Sequence, residues 1–260
     1  MGKIAILSDI HGNLPAFQSV LREVEESGAG SIVFLGDIVG YGASPAECVE
    51  LVRQHGGSCV MGNHHEEIRA VRRRGCTFRD PDWRANGYLA GLAQAARALD
   101  AVQAEWLAER PYVMKIPDAV VAHAILKDPE GFEYIEDDET AVPTLALLRK
   151  EKNQVGFFGH THVADLFPGD HQALEWLAET PVRIPPGVAC AVTVGAVGQP
   201  RHPTDRRAGW VLWDPEEGVV EFRRTDYDRL QAAHDILDAG LPLESGLRLL
   251  TESELAVLLR

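Results

Sequence analysis

No run of 18 apolar residues occurs in the sequence, and none of its four cysteines, Cys48, Cys59, Cys76 and Cys190, falls in a C-x-x-C pair. The first absence argues against a membrane-spanning helix. The second argues against a disulfide framework or a thiolate zinc site, and leaves the cysteines as small buried hydrophobes. Positive charge is also scarce: 25 Lys and Arg stand against 39 Asp and Glu, a net charge of −14. That balance argues against stable binding to nucleic acid or to an anionic membrane, and a phosphate-bearing ligand would need local positive charge. The opening run MGKIAIL meets Ser8-Asp9 too early for a signal h-region, so a cytoplasmic location is expected. No internal repeat, low-complexity segment or Pro/Gly/Ser-rich linker divides the 260 residues. The expectation is one domain over 1–260, with 226–260 a helical C-terminal extension packing on it.

What is present is alternation. Lys3 to Ser8 reads as a strand, Asn13 as the cap of a helix with Pro15 in its first turn, and Ser31 to Leu35 as a second buried strand. Ser44-Pro45-Ala46-Glu47 has the form of a capping box, and Ser58 to Met61 reads as a third strand. Residues 66 to 110 are helical in character, with a break from Cys76 to Pro81. Strands are expected at Tyr112 to Ile116, Ala119 to Ala122, Val155 to Phe158, Ala173 to Leu177, Ala189 to Val194, Trp210 to Trp213 and Val219 to Arg223. Between them, Lys127 to Thr140 is an acidic surface loop or flap and Val142 to Lys150 a helix. The pattern implies an α/β fold of two sheets packed face to face, with helices outside.

The chemistry lies just after the strands. Asp9 and His11, Asp37, Asn63 and His64, His123, and His160 and His162 each follow a predicted strand, where open α/β sheets form their sites. The set holds imidazole and oxygen donors and no thiolate, which suits manganese, iron, zinc or nickel better than calcium or copper(I). Seven ligands exceed the needs of one tetrahedral ion. Two ions sharing a carboxylate would use them all, and such pairs clamp both oxygens of an in-line phosphoryl displacement.

Asp9-x-His11, Gly36-Asp37, Gly62-Asn63-His64, His123 and Gly159-His160-x-His162 resemble, in order and spacing, the motif series of the calcineurin-like metallophosphoesterases. The likeness runs from residue 4 to about 224. Ser8 to Asn13, Gly36 to Gly42 and Val197 to Arg201 further resemble the bacterial phosphodiesterase branch, which includes proteins similar to diadenosine tetraphosphate hydrolases. The resemblance implies a four-layer α/β/β/α sandwich of two mixed β-sheets. It implies two divalent ions, manganese foremost and iron, zinc, nickel or cobalt as alternatives. Asp9, His11 and His162 would hold one ion, Asn63, His123 and His160 the other, with Asp37 bridging. A hydroxide shared by the ions would attack phosphorus in line, and His64 would protonate the leaving oxygen. The expected substrate is a phosphorylated small molecule carrying a phosphodiester or phosphoanhydride, such as a dinucleoside polyphosphate or a cyclic nucleotide.

Two positions depart from the pattern. His65 stands where the family has Asp or Glu to orient the catalytic His, so that task is weakened or passes to Asp9 or Glu66. His123 is followed by Ala124-Ile125 where relatives have Gly-Ser. Among the remaining groups, His55 reads as a helix C-cap, and His171, His202 and His234 as surface or packing residues. Arg201 reads as a substrate contact or a surface ion pair, and Arg72-Arg73-Arg74 as a solvated face or an attractor of phosphate. The rival functions are a phosphomonoesterase or protein Ser/Thr phosphatase, a mononuclear zinc hydrolase, and a catalytically weak metal-binding scaffold for a protein partner.

Overall fold

The computed structural model describes residues 2–74, 82–151, 155–169 and 180–258. The chain starts with β1 (Ile4–Leu7), a four-residue strand buried throughout. Asn13 then caps α1 (Leu14–Glu26), its Oδ1 accepting the Ala16 N–H at 3.2 Å, with Pro15 in the first turn. Phe17, Val20, Leu21 and Val24 form the buried stripe of that helix. β2 (Ser31–Phe34) and α2 (Pro45–Gln54) follow. The expected capping box at Ser44 does not form: its side chain makes no cap hydrogen bond, and its backbone N–H is committed to the Gly12 carbonyl at 3.0 Å.

The segment 58–61 is only partly the third strand expected. Cys59 bridges Phe34 in parallel, but the Met61 N–H turns away to the Pro111 carbonyl, which ends the ladder. Helix α3 (Asn63–Arg74) then begins at Asn63 itself, so Asn63 and His64 lie in a first helical turn. The helical span resolves further into α4 (Gly87–Ala98) and α5 (Ala101–Ala108). The expected break at 76–81, the strand at 173–177, Cys76 and His171 lie outside the described residues.

The remainder comprises β3 (Val113–Ile116), β4 (Ala119–Ala122), α6 (Asp138–Lys150), β5 (Val155–Phe158), β6 (Ala164–Pro168), β7 (Val182–Arg183), β8 (Cys190–Val194), β9 (Ala208–Asp214) and β10 (Val219–Thr225). Helices α7 (Arg229–Asp238), α8 (Leu243–Leu247) and α9 (Glu252–Leu258) end the chain. Strands β6 and β7 lie where the sequence pattern predicts none. The flap is irregular only as far as Asp137, which caps α6 through a capping box with Thr140.

Two mixed five-stranded sheets result, in the orders β2-β1-β9-β10-β7 and β3-β4-β5-β8-β6. The parallel pairs are β1 with β2 in the first sheet and β4 with β5 and β5 with β8 in the second. The period-2 alternation of strands sorts side chains into layers. Ile4 and Ile6 face Val121, Phe157, Val192 and Trp213 between the sheets. Ala5 and Leu7 join Phe17, Val49 and Trp210 under the first helical layer. Val120, Ala122 and Phe158 pack with Leu145 and Leu148 of α6 on the opposite side. This is the α/β/β/α sandwich, and Cys48, Cys59 and Cys190 are buried in it as free thiols. Among the described residues no helix is long and apolar enough to cross a membrane.

Phe157 sits between the sheets with its ring 5.4 Å from that of Trp213. Phe157→Ala should cost about 3–5 kcal/mol in urea unfolding. Val142→Ala, on the exposed face of α6, should stay within about 0.5 kcal/mol.

Candidate metal centre

The parallel strands deliver their carboxyl ends to one place. β1 leads to Asp9 and His11, β2 to Asp37, the 58–61 segment to Asn63 and His64, β4 to His123, and β5 to His160 and His162. Backbone hydrogen bonds tie these loops together across the sheets. His11 donates its N–H to the Asp37 carbonyl at 2.9 Å, Gly159 donates to the His123 carbonyl at 3.0 Å, and Gly198 donates to the Asp9 carbonyl at 2.8 Å. Asp9, His11, Asp37, His160 and His162 all hold φ between 46° and 67°, a left-handed conformation costly to side-chain-bearing residues. Close approach adds to the constraint: a Cβ on Gly62 would lie 2.2 Å from Asp37 Oδ1.

The side chains are then aimed by their outward-facing atoms. His11 Nδ1 donates to the Val39 carbonyl at 3.1 Å, His162 Nδ1 to the Gln199 carbonyl at 2.7 Å, and His123 Nδ1 to the Leu35 carbonyl at 2.7 Å. Each carbonyl fixes a tautomer and leaves Nε2 facing inward. The two carboxylates are oriented the same way. Asp9 Oδ2 accepts the His160 N–H and Asp37 Oδ1 the His64 N–H, both at 3.0 Å. Their second oxygens face the imidazoles, with Asp9 Oδ1 3.3 Å from His162 Nε2 and Asp37 Oδ2 3.3 Å from His123 Nε2. His123 Nε2 is also 3.1 Å from Asn63 Oδ1.

This arrangement fits cations. His11 and His162 bring their Nε2 atoms within 3.1 Å of each other, and in the tautomer their carbonyl partners select, both are lone pairs. Asp9 Oδ1 is buried with no hydrogen-bond partner. Three groups of donors close enough to hold an ion result: Asp9, His11 and His162; His11, Asp37 and His64; and Asp37, His123 and His160.

Burial pushes the Asp9 carboxyl up, but His162, His11 and His123 outweigh it and hold the group well below the usual range. For Asp37, burial is outweighed by His123, His64 and His11 in the same sense. Burial lowers His160 to about 4 and also lowers His162, keeping both neutral donors. His123 differs, since Asp37 overcomes burial and lifts its imidazole to about 9. A proton between these two occupies ground that a cation would take.

All eight motif residues therefore converge. Arg201 donates its backbone N–H to the His162 carbonyl at 3.2 Å, and its side chain, though exposed, stands near enough for its charge to act on Tyr41 and His162. The expectation for His65 needs correcting. Its ring turns away from His64, and its Nε2 accepts the Ile38 N–H at 2.9 Å, which braces the loop carrying Asp37. Neither Asp9 nor Glu66 takes over the orienting task, because His64 Nδ1 is buried without a hydrogen-bond partner. The ring is held instead by Tyr88 and Tyr41, at 4.7 and 5.0 Å between centroids. On the other side Tyr134 stacks on His160 at 4.0 Å and Phe132 meets the edge of His123 at 5.9 Å. The sequence singles out none of these four aromatic residues by itself, although Tyr41 lies within the Gly36 to Gly42 run, since each sits in a loop or helix whose path the pattern does not give. Arg72 is structural, donating to the Ala96 and Leu99 carbonyls at the end of α4.

A two-sheet α/β sandwich with such donor clusters at its strand ends defines the class of metal-dependent phosphoesterases. The chain belongs to the calcineurin-like phosphoesterase family, whose model matches residues 2–164, and is a phosphoric-ester hydrolase of that family. It is similar to the uncharacterized protein MJ0912 of Methanocaldococcus jannaschii, with 29% identity over 95% of this chain and 96% of that one. It is also similar to phosphodiesterase YfcE of Escherichia coli, with 36% identity over 26% of this chain and 42% of that one. Among solved structures, a metallophosphoesterase from Sphaerobacter thermophilus is 30% identical with a TM-score of 0.79, covering 95% of this chain and 98% of that one. The hypothetical protein PH1004 from Pyrococcus horikoshii shares the fold with a TM-score of 0.73 at 18% identity, over 96% of this chain and 98% of that one.

Burial lowers the His65 imidazole to about 4, against about 6.5 in an unfolded chain. The folded state therefore binds fewer protons between these values, and stability is lost as pH falls through that window. Metal-free wild type should lose on the order of 2 kcal/mol more than His65→Gln between pH about 6.5 and about 5, compared by urea unfolding.

Proposed function

We propose that the protein hydrolyses phosphodiester or phosphoanhydride bonds of a nucleotide-like small molecule in the cytoplasm with two divalent ions, manganese foremost. Asp9, His11 and His162 hold one ion, Asn63, His123 and His160 the other, and Asp37 serves both. The observation that carries this reading is the position of Asp37 Oδ2, which is 3.3 Å from His123 Nε2 and 3.9 Å from His11 Nε2. It groups with His11 and His64 on one side and with His123 and His160 on the other, which supports a role shared between two ions. The name of YfcE supports a diester over a monoester.

Paired ions supply a water of pKa near 7 in place of 15.7 and neutralise phosphoryl charge. The chain's own residues do the rest. Asp9 and Asp37, ionised by their imidazole surroundings, keep the site anionic before substrate arrives. His64, whose Nε2 lies 3.9 Å from Asp37 Oδ2 in one group with Asp37 and His11, falls outside the two ligand sets proposed above and is the group left to protonate the leaving oxygen. Burial holds its imidazole well below the ordinary value, with Asp37 opposing. An anionic phosphoryl group beside the ring favours the imidazolium and moves His64 toward the acid form the step requires.

With manganese, bis(p-nitrophenyl) phosphate should turn over faster than p-nitrophenyl phosphate, and failure on both by protein holding two ions overturns the reading. Metal analysis of Asp37→Asn should show weakened binding of both ions together with lost activity. His64→Ala should retain both ions and lose about 10²–10⁴ in kcat; a fall in stoichiometry would make His64 a ligand instead of an acid.

A further inference from the structure

A pocket of about 390 Å³ opens beside His64, lined by Tyr41, Tyr88, Asn86 and Gln199 on one side and by Ser245 and Arg248 of the C-terminal segment on the other. Its size falls within the range of about 300–1,000 Å³ typical of small-molecule sites. Three of its walls touch the centre directly. The Tyr41 ring meets the His11 and His64 rings at 4.9 and 5.0 Å, Tyr88 meets His64 at 4.7 Å, and the Gln199 backbone carbonyl holds His162. The pocket is thus on the side of the centre where His64 stands.

Its construction uses close approaches. A Cβ on Gly91 would lie 2.1 Å from the Tyr41 backbone nitrogen, and one on Gly87 would lie 2.6 Å from Ser245 Oγ. Both glycines let α4 come up against the Tyr41 loop and α8. Tyr41 itself is held at φ 52°, strain that is expected where a side chain must be placed for use. Gln199, 4% exposed, has its side-chain Oε1 buried with no hydrogen-bond partner. An unpaired buried acceptor is costly, and a ligand N–H would satisfy it. The walls therefore offer aromatic rings, one unpaired acceptor, and an Arg248 whose charge is paired with Glu244 at 2.6 Å, while the Arg201 charge acts on Tyr41 from beside the pocket. The rings and the acceptor suit a flat heterocycle with N–H donors, and the nearby arginine suits the phosphate it carries.

We infer that this pocket binds the nucleobase of the leaving nucleotide, with Gln199 accepting from the base and the C-terminal helix α8 forming the outer wall. The assignment rests on the proposed hydrolysis and adds to it the part of the chain that selects substrate. Residues 244–248 lie beyond residues 2–164, the span matched by the family model. The assignment gives 226–260 a role in specificity.

Two measurements test the pocket. Metal-free protein should bind adenosine saturably, followed by tyrosine fluorescence, and Gln199→Leu should weaken that binding about tenfold. Second, the ratio of kcat/KM for diadenosine tetraphosphate to that for bis(p-nitrophenyl) phosphate should fall at least about tenfold in Gln199→Leu and in Ser245→Trp, which fills the space. Adenosine binding needs neither metal nor turnover, so it remains decisive if Ser245→Trp fails to fold. Absence of saturable adenosine binding, or a ratio within about twofold of wild type in folded Gln199→Leu, overturns the pocket. Wild type that binds adenosine but hydrolyses neither substrate overturns the hydrolysis and leaves the pocket standing.

Discussion

The burial of Asp9 and Asp37 is the constraint on which the rest of the structure depends. Both carboxylates are ionised and both are almost entirely withdrawn from solvent, a state that costs several kcal/mol per ion unless it is compensated. Among the described residues, imidazoles and backbone N–H groups supply the compensation in place of Lys or Arg. Each carboxylate gives one oxygen to a backbone N–H and turns the other toward imidazoles; the inward oxygen of Asp9 is left without a hydrogen-bond partner, and that of Asp37 faces the His123 imidazole. The inward halves, together with the facing Nε2 atoms of His11 and His162, form a surface of lone pairs that a cation neutralises. Left-handed backbone at five of these residues adds strain of about 1–3 kcal/mol each. Two sheets with parallel strands ending at one edge are what hold that strain in place.

The motif residues were legible in the sequence for a physical reason. Buried parallel strands are short apolar runs with abrupt ends, as at Ile4–Leu7 or Val155–Phe158, so the first polar residues after them stand out. Layering was legible too, because alternate residues such as Ile6 and Leu7, or Phe157 and Phe158, go to different cores. What failed was anything that depended on direction. His65 follows His64 in sequence, but both lie in the first turn of α3, where consecutive side chains point about 100° apart. Adjacency thus placed His65 against Ile38 and not against His64. Strand β6 was missed because Asp165 and Pro168 break its pattern. It is an edge strand, where Pro is tolerated. The two-residue β7 has no pattern to read. Ser44 had the right composition for a cap, but the loop's close contact with Gly12 set its backbone differently.

The same limit explains why the aromatic residues around the centre were silent. Tyr41 and Tyr88 are 47 positions apart and meet only because Gly91 lets α4 touch the Tyr41 loop. Sequence patterns report which face of an element is buried, and they do not report which distant element covers it. Function-bearing contacts of this kind become visible only when the fold supplies the crossing.

These two rings also bear on how His64 works. A Cβ at Gly40 would lie 2.0 Å from His64 Nδ1, so that nitrogen faces backbone and no side chain at position 40 can reach it as an orienting partner. A carboxylate at 65 would not serve either, since the α3 geometry points that side chain at Ile38. The ring is therefore aimed by packing between Tyr41 and Tyr88 instead of by a hydrogen bond, and its basicity is set by burial, by Asp37 and by whatever anion lies beside it. Because the same two rings wall the adjoining pocket, a group bound there rests on the side chains that position the acid. Binding of the leaving group and placement of its proton donor then share one set of contacts, which lets remote binding act on the chemical step.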